Sequence, residues 1–321
     1  MRVIGIPKVC FDEEKEYIKA ALNADDKVLY FDNEQEMLAS PEADNIEIVF
    51  GEPDISTVKA LRSLRWIQMS WAGANIYTSE PELFENKELT TASGAYGAVI
   101  SEYIIAGMLG LYRNLFTYHD QMRKGGWNKI EIEDTLEGKR VLILGTGNIG
   151  EETAKKLSAF AAIRVGMCRT KRDKQEHFDE IYTLDSLDEQ LALADAVVVT
   201  LPGTKETTGM FDAERISKIK DGAMFVNVGR GFIVDTDALT EAVKNGKLCG
   251  AVLDVMDPEP LPDGHALRTM ENVMLTPHIS GIGWGTNRYT RNRILDIFCD
   301  NLRKDNASEA KKNIIDFKKG Y

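Results

Sequence analysis

Three polar residues each stand just past an apolar, strand-like run: Arg230 after MFVNV, Glu259 after AVLDV and His278 after VMLT. They lie roughly one βα unit apart, and in open α/β sheets ligands bind at the carboxyl ends of the strands. The three types make a working set. A planar guanidinium holds a carboxylate and polarises a carbonyl. An imidazole, which titrates near neutral pH, gives or takes the proton as hydride arrives at or leaves carbon. A carboxylate beside the imidazole orients it and favours its protonated form. Together they suit the interconversion of a small 2-oxo acid and its 2-hydroxy acid. His119 lies in a helical stretch, His177 in a charged run and His265 in an Asp-Gly-His turn, so none takes that role.

Hydride chemistry needs a carrier, and residues 145–150 read Gly145, Thr146, Gly147, Asn148, Ile149, Gly150, a complete G-x-G-x-x-G. The strand RVLIL precedes it, the helical run EETAKKLSAF follows, and a second strand, IRVGMC, comes next. That context makes it a dinucleotide turn, with the pyrophosphate at the helix N-terminus. An NAD site usually carries an acid at the end of the second strand for the ribose 2′-hydroxyl. Arg169 stands there instead, followed by Thr170 and Lys171. A guanidinium with a hydroxyl and an ammonium beside it suits a 2′-phosphate, so NADP(H) is the expected cofactor, with NAD(H) use left open.

The elements that must position these groups alternate. Arg2–Ile6, Val28–Phe31, Ile46–Phe50 and Trp66–Met69 read as strands separated by amphipathic stretches, and Ala98–Phe116 reads as one long apolar helix. A second series of strands covers Arg140–Leu144, Ile163–Cys168, Ala196–Thr200, Ala223–Val228, Gly250–Asp254 and Val273–Thr276; near-continuous apolar runs of this kind fit strands covered on both faces. The fold class is α/β, with two Rossmann-like doubly wound parallel-sheet domains, the cofactor domain inserted into the substrate domain. The expected boundaries are 1–98 plus 287–321 for the substrate domain and 99–286 for the dinucleotide-binding domain, with the tail Lys311–Tyr321 packing back on the first.

The 321 residues exceed one ordinary core. With 39 basic against 51 acidic residues the formal charge is −12, which argues against nucleic acid or an anionic membrane as partner. Cys10, Cys168, Cys249 and Cys299 are scattered and read as buried free thiols, with no metal site. No apolar run is long enough to span a bilayer, and the expected location is cytoplasmic. Trp71, Tyr96, Trp284 and Tyr289 are candidates to restrict a pocket to small acids.

The order and spacing of GTGNIG, VVVTLPGTKETTGMF, NVGRG, LDVMDPEPLP and TPHISG resemble the D-isomer-specific 2-hydroxy acid dehydrogenases, over nearly the whole chain. Glyoxylate/hydroxypyruvate reductases, phosphoglycerate dehydrogenase and D-lactate dehydrogenase belong to that family. The resemblance implies that Arg230, Glu259 and His278 are the catalytic trio. It implies that the backbone of Trp71-Ala72-Gly73-Ala74 binds the substrate carboxylate. Leu201, Pro202, Thr207, Val228, Gly229 and Asp254 would line the nicotinamide side of the cofactor. A homodimer through the cofactor domain is implied too, using Tyr112–Trp127 as an arm. Two positions depart from the pattern: the loop reads Gly-Ala-Asn where relatives often have Gly-Val-Asp, and Arg169 replaces a frequent Asp. A phosphoglycerate dehydrogenase-like enzyme, a dinucleotide-sensing corepressor-like protein and a dehydrogenase of a non-carboxylate donor such as phosphite are the alternatives.

Overall fold

The computed structural model describes residues 2–131, 133–170, 175–282, 284–285 and 287–320. Lys171, expected beside the 2′-phosphate, lies outside the described residues. The chain forms two compact units, Met1–Tyr96 with Ile282–Tyr321, and Gly97–Gly281, so the second is inserted in sequence into the first.

The first unit carries strands β1 (Val3–Ile6), β2 (Lys27–Tyr30), β3 (Ile48–Phe50), β4 (Trp66–Gln68) and β5 (Glu88–Thr90). They are all parallel, in the order β2-β1-β3-β4-β5, a doubly wound arrangement. Helices α1 (Asp12–Lys19), α2 (Glu34–Ala39), α3 (Ile55–Ala60) and α4 (Asn75–Thr78) connect them. The second unit holds β6 (Arg140–Leu144), β7 (Ile163–Cys168), β8 (Glu180–Thr183), β9 (Ala196–Val199), β10 (Ala223–Asn227), β11 (Leu248–Leu253) and β12 (Val273–Leu275). Their order is β12-β11-β10-β9-β6-β7-β8, again parallel, with the topological switch between β6 and β9. Its helices are α5 (Gly97–Tyr112), α6 (Leu115–Arg123), α7 (Asn148–Leu157), α8 (Leu187–Leu193), α9 (Ala213–Ser217) and α10 (Thr236–Lys244). β9 and β10 are buried at every position, as strands of a sheet covered on both faces must be. Helix α11 (Arg288–Asn306) returns to the first unit, where Phe298 stacks on Phe50 at 4.4 Å. The tail does pack back: Ile314 bridges Thr90, and Phe317 stacks on Phe84 at 5.1 Å.

Three expectations need correction. The long helix over Ala98–Phe116 is two helices, because Asn114 takes a left-handed conformation, φ 51°, which asparagine tolerates better than most residues. The break folds the Phe116 ring onto Gly110, where a side chain would not fit. Two strands, β5 and β8, were not expected; each is a short edge strand beginning with glutamate. Finally, Cys10, Cys168 and Cys299 are buried free thiols but Cys249 is exposed, at the start of β11. Among the described residues no helix is long and apolar enough to cross a membrane.

Candidate active site

The functional side chains of the second unit gather at the carboxyl ends of its strands. At the end of β6 the chain turns through Gly145 at φ +103°, a conformation open to glycine at little cost. Gly147 then caps α7 with no side-chain hydrogen bond. Among the described residues beyond its own chain neighbours, no atom lies within 4 Å of where a Gly147 side chain would begin. None of those residues calls for a glycine at this position, and the first-turn N–H groups of α7 are the orphan donors of a helix start. Gly147 and Asn148 are exposed, Ile149 half-buried, Thr146 and Gly150 buried. This cradle fits a dinucleotide pyrophosphate. The Asn148 amide oxygen also has an internal task, accepting from Gly97 N at 2.9 Å.

Arg169 emerges exposed at the end of β7, with Thr170. Its guanidinium lies 3.9 Å from Glu206, on the loop that follows β9. In that loop Thr207 is buried and its hydroxyl ties the turn, donating to Pro202 O at 2.8 Å and accepting from Thr204 N at 2.8 Å. Leu201 is half-buried and Pro202 exposed beside it.

After β10, buried Asn227 shapes the turn that presents Arg230: its side chain accepts from Gly229 N at 3.0 Å and donates to Arg230 O at 3.1 Å. Val228 is buried. A side chain on Gly231 would overlap the Met256 backbone, so only glycine lets this turn meet the loop bearing Glu259. Arg230 itself is half-buried, its Nη1 donating to Gly229 O at 2.7 Å. Burial pulls its pKa down, and Glu259 opposes that in part.

Glu259 Oε1 accepts from Met256 N at 3.0 Å, which leaves Oε2 facing His278 Nδ1 at 3.1 Å. With the Nδ1 proton directed at the carboxylate, His278 Nε2 is the free end of the ring, the arrangement a general acid/base needs. The His278 side chain is 52% exposed. Its backbone is left-handed, φ 55°, with N–H donating to Asp254 O at 2.9 Å. Asp254 is buried, 1% exposed, and its carboxylate accepts from Thr276 Oγ1 (2.6 Å), Ile279 N (2.7 Å) and Ser280 N (2.9 Å). The structure thus brings Arg230, Glu259 and His278 into one neighbourhood and shows Asp254 anchoring the histidine loop, a task that sequence reasoning missed. The missed partner is Thr276, and a hydroxyl two residues before the histidine was the available signal.

In the first unit, the segment Trp71–Ala74 follows β4. Glu52 pins its start, accepting from Ser70 N at 2.6 Å and Trp71 N at 3.1 Å, and Tyr96 donates to Ser70 O. Trp71 is exposed, Ala72 and Gly73 half-buried, and Ala74 buried. Trp284 packs within the same unit: its ring lies 4.1 Å from the Arg291 guanidinium and meets Phe50 edge-on at 5.2 Å, while Nε1 donates to Val9 O at 3.1 Å. Among the described residues no cluster of His, Cys, Asp and Glu could hold a metal ion.

Comparison with known proteins places this geometry. The family model described as "D-isomer specific 2-hydroxyacid dehydrogenase, NAD binding domain" matches residues 105–280. The mitochondrial formate dehydrogenase of Solanum tuberosum is 33% identical over 228 residues, 70% of this chain and 60% of that one. The glyoxylate reductase of Thermofilum pendens is 34% identical over 197 residues, 60% of this chain and 58% of that one. The matched stretch thus spans about three fifths of either relative. A crystal structure of a D-isomer specific 2-hydroxyacid dehydrogenase from Xanthobacter autotrophicus Py2, in complex with NADPH and MES, aligns over 100% of this chain and 99% of that one, with a TM-score of 0.82 and 26% identity.

Proposed function

The chain belongs to the D-isomer specific 2-hydroxyacid dehydrogenase family, and from that premise we propose that it is an NADP(H)-preferring reductase of small 2-oxo acids of the glyoxylate/hydroxypyruvate type. The observation that carries the reaction type is the His278–Glu259 pair, 3.1 Å apart and backed by half-buried Arg230. The dinucleotide, held at Gly145–Gly150 with Leu201, Pro202, Thr207, Val228, Gly229 and Asp254 toward its nicotinamide side, supplies the hydride when bound. The chain does the rest. Arg230 holds the carboxylate and polarises the carbonyl; its partial desolvation strengthens its pull on an anion. His278 Nε2 delivers the proton to the carbonyl oxygen, and Glu259 stabilises the imidazolium beforehand. The backbone N–H groups of Ala72, Gly73 and Ala74 are the carboxylate donors of the first unit in this reading, with Trp284 bounding the acid.

The formate dehydrogenase relatives raise a second reading. Removing hydride from formate yields carbon dioxide with no hydroxyl proton to transfer, so an oriented His–Glu pair has no task there; the pair favours hydroxy acids. Arg169 and Thr170 at the end of β7, where a carboxylate would repel a 2′-phosphate, support NADP. The arm supports a homodimer: Leu115, Tyr118, Met122 and Trp127 are exposed, Trp127 at 97%, more apolar surface than a solvated helix needs.

The test is a spectrophotometric screen of glyoxylate, hydroxypyruvate, other 2-oxo acids and formate with both cofactors. Turnover of a 2-oxo acid with NADPH is expected, and R169D should move the preference toward NADH by about tenfold or more, as one bidentate charge contact allows. An intact protein that oxidises NADPH with none of the acids sinks the reading, and an unchanged preference in R169D sinks its cofactor half.

A further inference from the structure

Helix α5 carries a hydroxyl into the anchor of the histidine loop. Tyr103 Oη lies 2.6 Å from Thr276 Oγ1. Thr276 has one proton to give and directs it to Asp254 Oδ1 at 2.6 Å, so Tyr103 is the donor of the pair. The chain Tyr103→Thr276→Asp254 therefore runs one way and ends on a buried carboxylate, the arrangement in which each hydrogen bond strengthens the next. Asp254 in turn receives Ile279 N and Ser280 N. These groups bracket His278, whose left-handed backbone is one that L residues seldom adopt. Burial pushes the Tyr103 hydroxyl up to about 12, so it keeps its proton at working pH.

The helix is a fixed post. Gly97 N donates to Asn148 Oδ1 at 2.9 Å and Lys156 Nζ to Ser101 Oγ at 2.8 Å, which ties the first turns of α5 to the helix of the dinucleotide turn. Gly107 lets it approach β11, where a side chain would meet Val252.

We infer that Tyr103 is a positioning residue for the reaction: through Thr276 and Asp254 it sets the backbone at His278 and so the direction of the imidazole between Glu259 and the substrate oxygen. The inference rests on the reductase reading for its kinetic consequence alone. Tyr103 touches neither substrate nor cofactor in it.

The experiment compares wild type, Y103F, T276V and the double variant by steady-state kinetics with NADPH and the best 2-oxo acid, by thermal melting, and by amide hydrogen exchange of residues 276–281. Y103F should lose roughly tenfold in kcat, the equivalent of about 1.4 kcal/mol, at unchanged KM for NADPH and unchanged Tm. Exchange at Ile279 and Ser280 should quicken while the strands stay protected. Because both hydroxyls act through one carboxylate, the double variant should be no worse than T276V. Wild-type kcat and wild-type loop exchange in Y103F overturn the inference, as do losses that multiply in the double variant. If the wild-type protein reduces no 2-oxo acid, the reductase reading fails, and the exchange comparison alone decides whether Tyr103 holds the loop.

Discussion

Asp305 in the first unit and Glu259 in the second are both carboxylates beside cations, and they are built for opposite ends. Asp305 is nearly enclosed, its side chain 6% exposed, and receives Arg65 at 2.8 and 2.9 Å, Arg2 at 3.0 Å and Lys311 at 2.9 Å. Burial pushes its carboxyl up, but the hydrogen bonds from those three cations outweigh burial and hold it well below the usual carboxylate range. Every charge there is matched from within. Glu259 has one backbone donor and one imidazole whose far nitrogen is open. The arginines differ in the same sense: the pKa of Arg65 is raised, by Asp305 first, whereas that of Arg230 is lowered by burial that Glu259 only partly offsets. A carboxylate held by three cations serves the fold, whereas an arginine whose burial outweighs its neighbouring carboxylate fits a site that takes a charged ligand.

The largest expected effect tests the second half of that contrast. H278Q should lower kcat by about 10²–10⁴-fold, the range for a lost general acid/base, with Tm unchanged because the ring is half-exposed and packs little. Retention of more than a tenth of the activity would remove His278 from the chemistry. The reverse pattern is expected of D305N, which takes the shared carboxylate from three cations that keep only Asp26, Glu47 and Glu88 and should cost about 1–3 kcal/mol of stability while the folded fraction keeps its kcat; urea titration read against activity decides. The same carboxylate predicts a pH signature. Its folded pKa lies below the unfolded value of about 3.9, so its stabilisation is complete above that pH and fades as pH falls below it toward the folded pKa. Wild type's advantage over D305N should therefore begin to shrink as pH falls below about 4 and go on shrinking toward the folded pKa; parallel curves would show that Asp305 is no keystone.

Much of this was readable in the residues, and the failures have physical causes. The strands of the second unit announce themselves because runs such as AVVV are buried on both faces and need no alternation. β5 and β8 hid because edge strands are short and partly charged, Glu88–Thr90 and Glu180–Thr183, and their pairing is decided by the neighbour strand rather than by local pattern. The break at Asn114 hid because YRNLF keeps apolar residues at helical spacing straight through it. Arg230, Glu259 and His278 were legible since each follows a strand end. The Asp254 anchor was not, since hydrogen bonds reaching from Asp254 to Thr276, Ile279 and Ser280 depend on how the β11 and β12 ends meet.

Between the saturated cluster and the open pair stands a third case, Arg169 with Glu206. Both are exposed, 48% and 73% at the side chain, and 3.9 Å apart. An ion pair so open to water is worth about 0–1 kcal/mol, too little to keep the guanidinium from a dianionic phosphate, yet enough to weigh against one. Under the NADP(H) proposal the Glu206 carboxylate would do this twice, by competing for Arg169 and by repelling the incoming charge. E206Q removes both effects while keeping the shape, so KM for NADPH should fall by about two- to fivefold, the span of one surface pair. KM for NADH, which brings no charge to that corner, should stay put. Raising ionic strength should shrink the difference between wild type and E206Q, since an exposed pair is screened over about 8–10 Å. Equal shifts for both cofactors would place Glu206 at a group they share, such as the ribose or the pyrophosphate, and would take it out of the selection between them.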